Sequence, residues 1–335
     1  MSKTGRTLVA ALALAALAGG SSATAVAQDA VTIGLPGIPP VFVSVQAYVA
    51  EQQKLFEKYG IKATIRPFDT GANAARAVIA GDIDLALSPT PLVINLISNA
   101  NADVVVILGY EKPDWLIGSM DPARSKCEDL KGQPVGVDSV GGARSIALNQ
   151  LVRGCGLTAN DTQQVAMSSN VGTAMVSGQL NYGVLHIDDV PVIERESGKK
   201  VTTMIEINKV DPVSHYMSLV TTRAKADKQR ETLTRVVAAL MDATRFINDP
   251  KNADAVAKAA APTGRNLSDA KASTDMYVKM DFWPKEGAGL TKANLETVID
   301  LQKKVGGIRP DKTPVTVERL ATTSIHDDAV KLLKK

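Results

Sequence analysis

Aromatic residues make up only 4% of this 335-residue chain. A core so poor in Phe, Trp and Tyr, but rich in Ala and Val, suits α/β layers better than an aromatic-rich β-sandwich. Charge of one sign is lacking too: 38 Lys and Arg face 35 Asp and Glu, a net charge of +3. That near-balance argues against a nucleic-acid partner, which calls for a strong basic excess on one face. There are three histidines, His186, His215 and His326, and two cysteines, Cys127 and Cys155. No H-E-x-x-H, G-x-S-x-G or C-x-x-C pattern occurs, so the usual zinc-protease, serine-hydrolase and dithiol chemistries have no carrier. Neither an enzyme nor a metal or cofactor is expected. No apolar run reaches the roughly 20 residues a membrane span needs. The hydrophobic fraction of 45% and charged fraction of 22% are those of a globular protein, and the length suggests two domains.

The amino terminus indicates a compartment. Lys3 and Arg6 precede a short apolar stretch, residues 8–18, and small residues follow up to Ala25-Val26-Ala27. A basic start, a short apolar segment and an A-x-A site predict a secretory signal peptide cleaved after Ala27. No Arg-Arg pair and no nearby Cys point to a twin-arginine signal or a lipid anchor. The expected mature protein begins at Gln28, is exported to the periplasm, and keeps 36 basic against 35 acidic residues. In an exported chain, the even cysteine count predicts a Cys127–Cys155 disulfide.

Strand and helix patterns alternate along the mature chain. Strands are expected at 31–33, 62–67, 84–87, 104–108, 134–137, 161–165, 182–185 and 201–207. Helices are expected at 45–59, 73–80, 92–98, 143–153, 171–177 and 190–197. This is the pattern of βαβ units and a mostly parallel sheet. From residue 228 the chain reads as helical, at 231–248, 253–260, 269–279, 292–305 and 315–321. Residues 77–87 echo residues 174–184: each copy is a helix end, a Gly and a short buried strand. Two units of the same local topology would produce this repeat.

Several stretches in order carry a resemblance: 31–34 (VTIG), 55–60 (LFEKYG), 80–86 (AGDIDLA), 129–132 (DLKG) before a Val-Gly-Val strand, 154–157 (GCGL) and 176–180 (VSGQL). Together they resemble periplasmic solute-binding proteins of ABC transporters, in the sulfonate, taurine, nitrate and pyrimidine-precursor (NMT1-like) group. The likeness covers about residues 31–200. It implies a type II binding-protein fold: two α/β lobes, two crossover segments and a helical C-terminal region. Lobe 1 would combine residues 28–116 and 218–335, lobe 2 would be 117–217, and the crossovers would fall at 115–117 and 216–218. It also implies a monomer that closes on a small molecule and delivers it to a membrane permease complex. Fungal pyrimidine-precursor synthases look similar in fold, but their cysteine-rich motif is absent here. A ligand-sensing module without transport is an alternative role.

In open α/β sheets, ligands bind beyond the carboxyl ends of strands, where helix N-termini present free N–H groups. The loops after the strands therefore supply the candidates. Gly141 and Gly142 lie in a Gly-rich turn with Ser139 and Arg144; without a following Lys-Ser/Thr pair it is no phosphate loop for nucleotides, but it could clamp a carboxylate or sulfonate. Ser88 and Thr90 follow the corresponding strand of lobe 1 and could cap a helix, bind ligand, or both. Thr70 and Gly71 form a similar turn. Sulfonate-binding relatives carry an aromatic and a Pro close to this strand end; here His186 stands there instead and the Pro is delayed to Pro191, a departure that argues against a simple alkylsulfonate. His186 and Asp188 could meet an amine or heterocycle edge; a helix cap by Asp188 or Asp189 is the alternative. His215 falls at the return crossover. Pro39 and Phe42, with Ile38, could wall the cleft. The expected ligand is a small anionic or zwitterionic organic solute, with a pyrimidine-like heterocycle as the alternative.

Overall fold

The computed structural model describes residues 28–210, 216–284, 286 and 289–334. The expected signal peptide and His215 lie outside the described residues. Among the described residues ten strands form two five-stranded sheets. They are β1 (Asp29–Pro36), β2 (Ile61–Phe68), β3 (Leu85–Pro89), β4 (Val104–Glu111), β5 (Leu116–Ser119), β6 (Pro134–Val137), β7 (Gln163–Ala166), β8 (Tyr182–Leu185), β9 (Thr202–Glu206) and β10 (Met217–Thr222). The first sheet has the order β2-β1-β3-β10-β4 and the second β7-β6-β8-β5-β9.

The two orders are the same pattern. In each, a first strand pairs in parallel with the next two, and a strand that adjoins a crossover, β10 or β5, enters antiparallel. The chain crosses between sheets twice, after β4 and after β9. The internal echo falls on equivalent places, the helix Gly71–Ala80 before β3 and the helix Val171–Val176 before β8. Gly81 and Gly178 sit at matching turns with φ of 83° and 76°, a region that excludes most side chains.

Several expectations need correction. The helix expected over 45–59 is broken into Val45–Gln52 and Leu55–Lys58, with Lys54 left-handed at φ 55°. Ser88 and Pro89 do not end the third strand but belong to it. They pair with Ser218 and Met217 of β10, an antiparallel neighbour that needs no further N–H from Pro89. The sheets are mixed rather than mostly parallel, because β5 and β10 were not evident. Both are short runs next to crossovers, without the alternation that marks a strand. Residues 116–117 and 217–218, expected as crossover, are thus already in sheets.

The first sheet is covered by the C-terminal helices. Arg230–Ile247 packs on Val45–Gln52, and Leu267–Lys279 on Ala253–Ala259. Their buried Leu, Val and Ala side chains join β1, β3 and β4 in one core. Thr323–Leu333, not foreseen, also packs on Arg230–Ile247. Cys127 and Cys155 are disulfide-bonded, with Cα atoms 5.3 Å apart. The bond ties the turn before β6 to the end of the helix Ala143–Gly154, at the edge of the sheet away from the strand ends that carry the candidates. Among the described residues no helix is long and apolar enough to cross a membrane.

Candidate ligand-binding cleft

A cleft of about 280 Å³ opens between the carboxyl ends of the two sheets. Pro39, Pro40 and Phe42, after β1, form one wall, and Thr263 to Asn266 extend it. Asn170, Thr173, His186, Asp189 and Arg195 form the other. Arg144 and His186 continue inward to a smaller cavity of about 30 Å³, bounded by Glu111, Trp115, Asp138, Asp69 and Met217.

The Gly-rich turn serves a purpose other than the expected one. Asp138, buried at the end of β6, accepts hydrogen bonds from the N–H groups of Ala143 (2.9 Å) and Arg144 (3.0 Å). Gly142 N–H donates to Ser139 O and Gly141 N–H to Ser145 Oγ. These N–H groups are taken, so the turn does not present them to a ligand as expected from sequence. The glycines make room for the cap. A Cβ on Gly142 would lie 2.5 Å from Asp138 Oδ2, and Gly141 has φ +77°. Burial raises the Asp138 pKa, with its N–H donors and Arg144 opposing.

Arg144 reaches the cleft from the first turn of its helix, but its donors are engaged. Nη1 donates to Val184 O at 2.6 Å, and Nη2 lies 3.5 Å from Asp189 Oδ2. Its guanidinium lies 5.2 Å from the Trp115 ring, which also packs on His186 at 3.8 Å and Tyr216 at 5.8 Å between centroids. His186 Nδ1 faces both carboxylate oxygens of Asp114, at 2.9 and 3.0 Å. The carboxylate needs a donor, so Nδ1 carries the proton and Nε2 is the nitrogen left for the cleft.

Asp188 does not cap its helix. It reaches the C-terminal helices, accepting from Arg265 Nη2 and Tyr277 OH at 2.7 Å each. Arg265 also binds Asp189 at 2.7 Å, and Asp189 accepts from the backbone N–H of His186 at 3.1 Å. Tyr277 OH lies 2.7 Å from Asp114 Oδ2 as well. Its one proton serves one of the two carboxylates at a time. Burial pushes the Asp188 pKa up, against the pull of Arg265. At Asp189 burial pushes the same way, but Arg144, Arg265 and His186 outweigh it and the pKa falls below the ordinary value. Ser169 Oγ donates to Ile38 O at 2.9 Å, a further tie across the cleft.

The other candidates lie behind the cleft. Thr70 caps its helix by accepting from Asn73 N–H, and Gly71 packs against Pro89. Thr90 is fully buried and bonded to Ser218 at 2.5 Å; Ser88 is fully buried, and its hydroxyl has no partner. None of these four lines either cavity. The residues that sequence reasoning missed are Glu111, Asp114, Asp138, Arg265 and Tyr277. Asp138 had a local signal, a carboxylate just before a helix start. Asp114, Arg265 and Tyr277 meet their partners from 72 to 163 positions away, and no spacing rule reaches that far. Among the described residues no group of His, Cys, Asp or Glu is arranged to hold a metal ion.

Solved structures share this architecture. A protein from Bordetella bronchiseptica RB50 aligns with a TM-score of 0.78 at 20% identity, over 92% of this chain and 99% of its own. The periplasmic nitrate-binding protein NrtA from Synechocystis PCC 6803 aligns at 0.74 with 9% identity, over 92% and 89%. The periplasmic aliphatic sulphonate binding protein SsuA from Escherichia coli aligns at 0.66 with 18% identity, over 88% and 92%. At these identities the likeness is one of fold. No curated protein sequence matches the chain. The pattern of the NMT1/THI5-like family does match, over residues 42–253. That span holds both crossovers and the ends of β4, β6 and β8 at the cleft, and the chain belongs to the NMT1/THI5-like family.

Proposed function

We propose that this protein is the periplasmic solute-binding component of an ABC importer, exported by its N-terminal signal and active as a monomer. Two lobes, 28–116 with 218–335 and 117–217, close on a small polar organic solute and present it to a membrane permease. The observation that carries this reading is a cleft whose polar walls come from both sheets and which cross-cleft bonds hold shut. A hinge closing around a ligand works in this way. The polar lining favours a zwitterion over a simple anion. Arg144, Arg195 and Arg265 are each already paired with a carboxylate or carbonyl, so no cation waits for an acid alone. NrtA and SsuA, by their names, bind nitrate and aliphatic sulphonates. Neither class is transferred to this chain.

The test is a thermal-shift screen of the mature protein, from Gln28 on, against sulfonates, carboxylates, amino acids and pyrimidines. A ligand at 100 times its Kd adds about 2.7 kcal/mol of stability and raises Tm. Silence across all four classes would count against solute binding.

A further inference from the structure

Glu111 ends β4 at the first crossover, and its backbone carbonyl accepts from Tyr216 N–H at the second. The side chain is 1% exposed, and its Oε2 has no hydrogen-bond partner. It bounds the inner cavity. A buried carboxyl without a partner is costly and calls for a group that the protein itself does not supply.

The surrounding charges specify that group. Asp114 is hydrogen-bonded by His186, Asp188 and Asp189 are paired with Arg265 and Arg144, and Asp138 accepts from the start of its helix. Glu111 has no ion-pair partner among the described residues, and Asp69 adds a second carboxyl group at the same cavity. The inner cavity, about 30 Å³, has room for one or two atoms of water size. A carboxylate or sulfonate there would meet the carboxyl groups of Asp69, Glu111 and Asp138. An ammonium group fits in size, carries the missing charge and brings three donors.

We infer that Glu111 is the ligand-reading group of the inner cavity, and that the solute enters with a primary ammonium foremost, its remaining polar groups lying in the outer cleft. This rests on the solute-binding reading above and names the ligand class for that site. In the empty cleft, burial and then the charges of Asp114 and Asp188 hold the Glu111 pKa well above its ordinary value. The other titratable groups around the cavity are Asp69, Asp138, Arg144 and His186. An arriving ammonium displaces the carboxyl proton, so binding releases up to one proton.

Three matched pairs test the assignment by titration calorimetry: β-alanine with 3-hydroxypropionate, taurine with isethionate, and benzylamine with benzyl alcohol. In each pair the ammonium becomes a hydroxyl while the rest of the skeleton stays. The expected result is that at least one amine binds ten-fold or more tightly than its alcohol, and that Glu111→Gln removes this preference. Wild-type titrations in two buffers of different ionisation enthalpy should also show proton release, which needs no variant to fold. An alcohol binding as well as its amine, or an amine preference that survives Glu111→Gln, overturns the ammonium assignment and leaves solute binding standing. Silence of all six probes also overturns it. Solute binding itself falls only if the broader thermal-shift screen is silent too.

Discussion

Arg144 shows how a residue can be placed correctly and still act differently from expectation. It stands at the cleft, yet it holds Val184 O and balances Asp189. Arg144→Ala would leave a buried carbonyl unpaired and Asp189 with less countercharge. A hydrogen bond from a charged group is worth about 1.5–3 kcal/mol. Urea unfolding of ligand-free Arg144→Ala should show a loss of about that size; unchanged stability would refute this role. Arg144→Lys should not restore it, since an ammonium cannot reproduce the planar fork. Glu111 predicts a pH trend. Its pKa in the folded protein lies above the ordinary carboxylate value of 4.5. As pH rises past 4.5 the unfolded chain gives up this proton first, so the group favours unfolding increasingly until its folded pKa is reached. Glu111→Gln should therefore gain stability relative to wild type as pH goes from 4 to 8. Equal differences at both pH values would contradict the raised pKa.

At the scale of elements, the helix Ala143–Gly154 is fixed at both ends. Asp138 caps its start, and the Cys127–Cys155 bond holds its finish. Loss of an N-cap costs about 0.5–2 kcal/mol, so Asp138→Ala should lower stability by that much; an unchanged denaturation midpoint would mean that the cap is dispensable. The disulfide closes a loop with a sequence separation of 28. The chain-entropy account gives it roughly 3–4 kcal/mol. Unfolding with and without reductant should differ by about that amount, while ligand affinity in native buffer should hardly change, because the bond lies at the far edge of the sheet. A large drop in affinity on reduction would show that the bond shapes the cleft.

For the whole molecule, closure depends on contacts between distant parts of the chain. Arg265, from the C-terminal helices, grips Asp188 and Asp189 beyond β8, and Tyr277 adds its hydroxyl. Removing one partner of a buried ion pair costs about 3–5 kcal/mol; Arg265 is still reached by solvent, so the low end applies. Arg265→Ala should shift the ligand-free protein toward an open form, seen as a larger radius of gyration in small-angle scattering. An unchanged radius would show that other contacts hold the cleft shut.

The sequence by itself determined the alternation of strands and helices, the equivalence of its two halves, the cysteine pairing and the family. These are written locally, in apolar periodicity, glycine stops and ordered motifs, and local patterns survive folding. Tertiary structure decided which strands joined each sheet from across the chain, as β5 and β10 did. It also decided which candidates face the cleft: Ser88, within β3, and Thr90, just after it, are buried beside Ser218 of β10, whereas Glu111, Arg265 and Tyr277 reach the site from elements that carry no motif. The physical reason is that a charge or hydroxyl takes its role from the groups packed around it. Those partners lie up to 163 positions away, and only the packed chain brings them together.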